Sequence, residues 1–291
     1  MGARLILNAD DFGLTRGINR AIAELHQAGT LTSATLMASG LAFDDAVAIA
    51  HANPALGIGC HVVLTDGSPV SPSETIPTLL GNGGQNFRTS LPAFLLAVLR
   101  GQVSEDDIYR EALAQIQKLQ HAGIDVSHID THKHTHILPG VARPLLRAAH
   151  HAGIPCIRNP FEQPWSLALG SSSLLRSVQV RVIQYLRPRF LALTEIVEGS
   201  VRTTDGTIGV SATGNLNAAT LRAIVKAIPE GTWELVCHPG YNDVDLDAVT
   251  TRLRESREIE RDALPSIFAK NSAFSLQPTP LELINYRSLE P

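Results

Sequence analysis

Short apolar runs alternate along the chain with longer segments whose apolar residues recur at helical spacing. Residues 4–9, 33–38 and 57–64 read as strands, and residues 17–28 and 42–52 as helices. In the first helix Ile18, Ala21, Ile22 and Leu25 share one face, and Gly29 follows as a C-terminal stop. Residues 65–102 break this rhythm with prolines at 69, 72, 77 and 92 and the turn-like "GNGGQN". They read as an insertion or lid, helical only near residues 93–99. Ser104 opens a strong helix running to about His121, with Asp107 three positions on as a variant capping box. "DVSHIDTH" is the next strand, residues 141–152 a helix, and residues 156–158 a further strand.

The stretch 160–205 is less regular, and "LGSSSLLRSVQVRVIQYLRPRF" within it reads as a helix with a basic edge, a solvated face in preference to a local partner patch. Regularity returns with a strand at 207–210, a helix at 217–228 and the strand "GTWELVCHPG", which ends in His238. A charged helix, "DAVTTRLRESREIERDAL", and a closing strand, "LELINY", complete the pattern. Strand-then-helix repeats of roughly 30 residues predict an α/β protein with a mostly parallel sheet and helices outside. No linker divides the chain, so the expectation is one domain over 1–291, with insertions near 65–102 and 160–206.

Composition narrows the function. The 291 residues are 44% hydrophobic and 18% charged, ordinary for a globular protein, and the formal net charge of −4 offers no basic field for nucleic acid. No apolar run approaches the ~18 residues of a membrane span, and no basic segment followed by a long apolar stretch opens the chain. The expectation is a cytoplasmic protein with a small-molecule substrate. Cys60, Cys156 and Cys237 form no CxxC pair and read as buried thiols. Neither G-x-G-x-x-G after a strand nor a phosphate-loop motif is present, so nucleotide cofactors have no support.

Histidine is the unusual entry in this composition: eleven, of which four fall in "HIDTHKHTH", His128 to His136. Parallel α/β folds gather functional groups beyond the C-terminal ends of their strands. Those ends carry Asp10 and Asp11, then His61 with Asp66 further out, then Asp130, His132, His134 and His136, then Arg158, then His238. Singly, each has a plainer reading: a core histidine, a turn, a structural ion pair. Together they use a metal-site vocabulary, in which two histidines and one carboxylate leave positions open for water and substrate. Asp11, His61 and one histidine of the cluster are the best ligand set. His128, Asp130, His132, His134 and His136 share a parity while the strand stays extended, but spread over too many residues for all to hold one ion. The remaining histidines would orient the ligand, contact substrate or face solvent.

"NADDFG", "GCHVVLTDG", "HIDTHKHTHILP", the "IR" after a strand and "CHPGY" together resemble the YdjC-like carbohydrate deacetylases, from Leu5 to about Tyr241. The resemblance implies a distorted (β/α) barrel that uses one divalent metal ion, Zn²⁺ or Mg²⁺, to remove the N-acetyl group of an amino sugar. It implies Asp10 as catalytic base, Asp11, His61 and His132 as metal ligands, and His238 as general acid or substrate contact. Arg158 would support the base. "CHVVL" stands where "LHLNL" is more usual, with the ligand histidine kept. The two insertions would line the cleft, and a homodimer is the family-level expectation. Two other classes compete. A metal-dependent sugar isomerase or epimerase would need a further proton-abstracting carboxylate or lysine and would release no acetate. A non-catalytic metal- or sugar-binding protein would have no use for an unligated Asp10 beside Asp11.

Overall fold

A computed structural model of the chain describes residues 2–167, 169, 183–193, 196, 198–269 and 281–289. Its sheet contains β1 (Ala3–Phe12), β2 (Ser33–Leu36), β3 (Gly57–Val62), β4 (Val126–Thr131), β5 (Gly206–Ile208), β6 (Gly231–Cys237) and β7 (Glu282–Ile284). The order is β4-β3-β2-β1-β6-β5, with β7 also against β1, and every pairing is parallel. β1 is the hub. Its whole length from Ala3 to Ala9 pairs β6 on one side, while on the other its start pairs β7 and its end pairs β2. Covered on both faces, it is apolar without alternation: Leu5, Ile6, Leu7 and Ala9 are all fully buried. Single parallel bridges, Ile129 to Ile157 and Glu162 to Thr207, carry the curl from β4 round to β5. The result is the distorted, mostly parallel barrel with outer helices that the repeat pattern and the resemblance imply.

The helices α1 (Arg16–Gln27), α2 (Phe43–Ala52), α3 (Leu91–Leu99), α4 (Glu105–His121) and α5 (Pro139–Ala152) follow the predicted pattern. Short helices α6 (Pro164–Leu167) and α7 (Arg187–Leu191) precede α8 (Ala218–Ala227) and α9 (Glu255–Phe268). Several expectations need correction. Residues 156–158 make only isolated bridges, because Pro155 and Pro160 beside them lack the N–H a ladder requires. The charged helix begins only at Glu255, after a 3-10 turn over Val244–Ala248; Leu253 N instead donates to Thr251 Oγ1, a local alternative to the helix ladder. The expected strand at 207–210 is displaced to β5. Most of the basic-edged segment, positions 170–182, lies outside the described residues. The three cysteines are free and buried, as expected.

The 65–102 insertion is fastened rather than loose. Asp107, Glu111 and Gln115 lie four residues apart on the buried face of α4. Asp107 Oδ2 accepts from Thr78 N and Oγ1 at 2.9 and 2.7 Å. Glu111 accepts from Val70 N and Ser71 N, both at 2.9 Å, and Gln115 bonds both backbone groups of Val63. Asp107 thus turns to the insertion and does not close the expected capping box; Ser104 Oγ accepts from Asp106 N at 3.2 Å. Glu111→Ala leaves the part-buried Val70 and buried Ser71 amides unmet and should cost about 2 kcal/mol, or about 4–8 °C in Tm. Limited proteolysis should then cut within residues 65–80 first; an unchanged cleavage map would show that Glu111 does not hold the segment.

Candidate metal centre and catalytic cluster

The β1–β2 register slips between Ala9 and Phe12, and Asp11 within this bulge has φ 65°. A left-handed conformation costs a non-glycine residue about 1 kcal/mol or more, and bulges commonly re-aim side chains at functional sites. The turn beyond is held by Gly13 N, which donates to Asn19 Oδ1 at 2.7 Å. The two neighbouring carboxylates, 2% and 3% exposed, are thereby given different partners: Asp10 meets Arg158, and Asp11 meets Arg257.

On the Asp11 side, Oδ1 lies 3.7 Å from His61 Nε2 and 3.5 Å from His132 Nδ1, and those two nitrogens are 3.3 Å apart. Tetrahedral bonds of ~2.0–2.1 Å would set ligand atoms about 3.4 Å apart, so this triangle fits a divalent ion such as Zn²⁺. His61 Nδ1 lies 2.8 Å from Asp130 Oδ1, its neighbour in the β3–β4 register, and 3.2 Å from Thr35 Oγ1. With Nδ1–H donating to the carboxylate, Nε2 is left to face the cluster, the usual support for a ligating histidine. Burial pulls the His61 pKa down, but the charges of Asp130 and Asp10 outweigh it and raise it to about 9. A cation would occupy the place that a proton otherwise takes. Burial pushes the Asp11 pKa up, and Arg257 and His132 overcome it, leaving the carboxyl well below the usual range.

On the Asp10 side, the fully buried Arg158 serves three acids. Its Nη1 and Nη2 donate to Asp10 Oδ2 and Oδ1 at 2.9 and 2.6 Å, its Nε donates to Glu234 Oε1 at 2.9 Å, and Nη1 also pairs with Asp130 Oδ2. Asn8 Nδ2 and Thr35 Oγ1 add bonds to Asp10 Oδ1 at 3.0 and 3.2 Å. Burial raises the Asp10 pKa, but Arg158 and then His61 outweigh it, and the carboxyl stays ionised far below its ordinary range. Tyr286 Oη donates to Glu234 Oε2 at 2.5 Å and closes the far side of this network. His238 Nε2 stands 3.9 Å from Asp10 Oδ2. Burial lowers the His238 pKa to about 4 despite both aspartates, so the free ring is neutral at pH 7 rather than poised between its forms.

The structure therefore brings Asp10, Asp11, His61, His132, Arg158 and His238 into one cluster. The other histidines diverge, because β4 ends at Thr131 and a 3-10 segment over His132–Ile137 follows. Lys133 and His134 there have φ of 58° and 52°, which ends the shared parity. His128 stacks on Tyr286, centroids 3.7 Å apart, deep in the core, and His136 Nδ1 contacts Thr131 Oγ1 at 2.6 Å. His134 keeps a buried, unpartnered Nδ1. Asp66 pairs with Lys133 and joins the β3 and β4 loops at the rim. Sequence reasoning missed Glu234, Arg257 and Glu260. Glu260 Oε2 accepts from His238 N at 2.5 Å, and Arg257 Nη1 donates to His238 O at 3.5 Å. A signal was present: extending the apolar stripe Leu264, Ile267, Phe268 back by one and two turns lands on Glu260 and Arg257.

The model of the YdjC-like proteins matches residues 4–271 of this chain. A carbohydrate deacetylase of Brevibacillus brevis is 40% identical over 162 residues, which span 56% of this chain and 60% of that protein. A carbohydrate deacetylase of Geobacillus stearothermophilus is 31% identical over 246 residues, 83% of this chain and 81% of its own. The crystal structure of a protein from Enterococcus faecalis V583, described there as acting in cellobiose-phosphate cleavage, superposes with a TM-score of 0.76 at 26% identity, covering 100% of both chains. The family match spans most of the sequence and the fold agrees with it: the chain belongs to the YdjC-like protein family.

Proposed function

We propose that this protein is a carbohydrate deacetylase that hydrolyses the N-acetyl group of an amino sugar with the help of one divalent metal ion. The observation that carries the proposal is the convergence of Asp11 Oδ1, His61 Nε2 and His132 Nδ1 within 3.3–3.7 Å, beside a second carboxylate, Asp10, committed to Arg158 instead. The relatives' description as carbohydrate deacetylases supports the substrate class. Bound by that triad, the ion would supply Lewis acidity to water and to the amide carbonyl.

The chain's own residues account for the protons. Asp10, held ionised by Arg158, accepts the proton of the attacking water. His238 Nε2, 3.9 Å away, is neutral in the free site and so can receive that proton during turnover and deliver it to the departing nitrogen. Arg158 keeps Asp10 ionised and aimed, and Asn8 and Thr35 fix which lone pairs remain. The 65–102 insertion, tied to the rim through Asp66 and Lys133, would flank the cleft and help select the sugar.

Acetate release from oligosaccharides of N-acetylglucosamine tests this reading. Release should stop after chelation and return with added Zn²⁺. Chelator-insensitive release, or no release by metal-loaded protein from any N-acetyl sugar, would sink it. Acetate also separates hydrolysis from isomerisation and from binding alone.

A further inference from the structure

We propose that Arg257 is a positioning residue of the metal centre: its guanidinium engages Asp11 Oδ2 and so presents Oδ1 alone to the cation. The inference rests on the metal-dependent reading above. Arg257 is 1% exposed, and its Nη2 donates to Asp11 Oδ2 at 2.5 Å. The other oxygen, Oδ1, is the one facing His61 and His132. One carboxylate thus has one oxygen committed and one available. The Asp11 backbone does not secure this by itself, since it sits in a left-handed conformation inside a bulge, where a side chain released from its partner could swing.

The arginine suits this task for reasons of shape. A planar fork can hold two acceptors at once, which a lysine point charge cannot do in fixed geometry. Nη1 reaches the His238 carbonyl at 3.5 Å, tying the end of β6 to the end of β1. Gly240 N donates to the Arg257 carbonyl at 3.3 Å, and a Cβ at Gly240 would come within 3.1 Å of Arg257 Cδ, so the loop packs directly on the arginine stem. One turn along α9, Glu260 holds the His238 amide. The helix therefore braces both halves of the cluster, with Arg257 assigned to the cation side.

If Arg257 only neutralised a buried acid, its loss would lower stability and, by removing a positive charge beside Asp11, leave cation binding by the folded protein unchanged or tighter. Calorimetric titration of the chelator-stripped full chain with Zn²⁺ separates the two roles, using wild type, Arg257→Lys, Arg257→Met and Leu264→Ala. Leu264 is fully buried on the same helix and serves as the packing control. A thermal melt fixes a titration temperature at which each protein is folded. Arg257→Met should weaken Zn²⁺ binding about 10–100-fold, with Arg257→Lys between it and wild type. Leu264→Ala should keep the wild-type Kd despite a lower Tm. If Arg257→Met does not fold, Arg257→Lys carries the test with a several-fold loss expected. Binding within twofold of wild type or tighter in the folded Arg257 variants, or an equal loss in Leu264→Ala, overturns the assignment alone. A wild-type chain that binds no Zn²⁺ overturns the metal reading and this assignment with it.

Discussion

Asp10→Asn should lower kcat for deacetylation by about 10²–10⁴ while leaving one Zn²⁺ bound per chain. The substitution keeps the volume and one acceptor oxygen but removes the lone pair that would take the proton from water. Metal should stay because the proposed ion is held by Asp11, His61 and His132 and not by the second possible group, Asp10, His61 and Asp130, whose carboxylates are already paired with Arg158. The fold should also tolerate the change. Arg158 would still face Asp130 and Glu234, so its buried charge remains compensated. Metal content by elemental analysis and kcat on the same preparation decide the matter. Activity within about tenfold of wild type would remove Asp10 from the role of base. Loss of the ion together with activity would make Asp10 part of the metal site instead.

Arg158→Met should have the larger effect on the fold. Its removal leaves Asp10, Asp130 and Glu234 buried together with no guanidinium between them. Breaking a buried ion pair by deleting one partner costs about 3–5 kcal/mol, because the survivors stay desolvated. The pH dependence gives this prediction its sign. In wild type, burial raises the Asp10 pKa but Arg158 more than reverses it, so Asp10 contributes stability above its unfolded pKa and loses it as pH falls through the folded one. Without Arg158, burial dominates at Asp10, whose folded-state pKa rises, and acts unopposed at Glu234, whose pKa burial already raises in wild type. Their contribution is then present at low pH and lost as pH rises. Tm of Arg158→Met should accordingly climb on acidification more steeply than that of wild type, in which Arg158 outweighs burial at Asp10. A variant as stable as wild type at neutral pH, with no such climb, would show that the carboxylates are not held by this arginine.

The parts of the site legible in the sequence are those set by one local rule, that a strand in a parallel barrel ends at the functional rim. That rule brings Asp10, Asp11, His61, the run from Asp130 to His136, Arg158 and His238 to one rim; the choice of His132 within the run comes from the family resemblance. What it missed depends on which strands become neighbours. Arg158 reaches Asp10, Asp130 and Glu234 only because β1, β4 and β6 converge beneath it, and nothing local in "WELVC" marks Glu234 as an acid facing an arginine. The parity argument for the histidines failed at Thr131, where the extended backbone it assumed ends. Arg257 and the α4 ladder were hidden for another reason. A charged residue on an amphipathic helix reads as solvated unless the buried stripe is followed past its last apolar member.

The central place of β1 has a consequence for the order in which the molecule is made. β1 leaves the ribosome well before its partners Gly231–Cys237 and Glu282–Ile284, which lie more than 200 residues later. Pairings across such long sequence separations form slowly, since the closing entropy must be met before they return anything. All three proposed cation ligands lie in the first half of the chain, whereas Arg257 and His238 come in the last quarter. A nascent chain could gather Asp11, His61 and His132 long before the rest of the site exists. Until β6 and β7 emerge, one of the most apolar strands of the protein has open edges, and synthesis is the stage at which this fold is most exposed to aggregation.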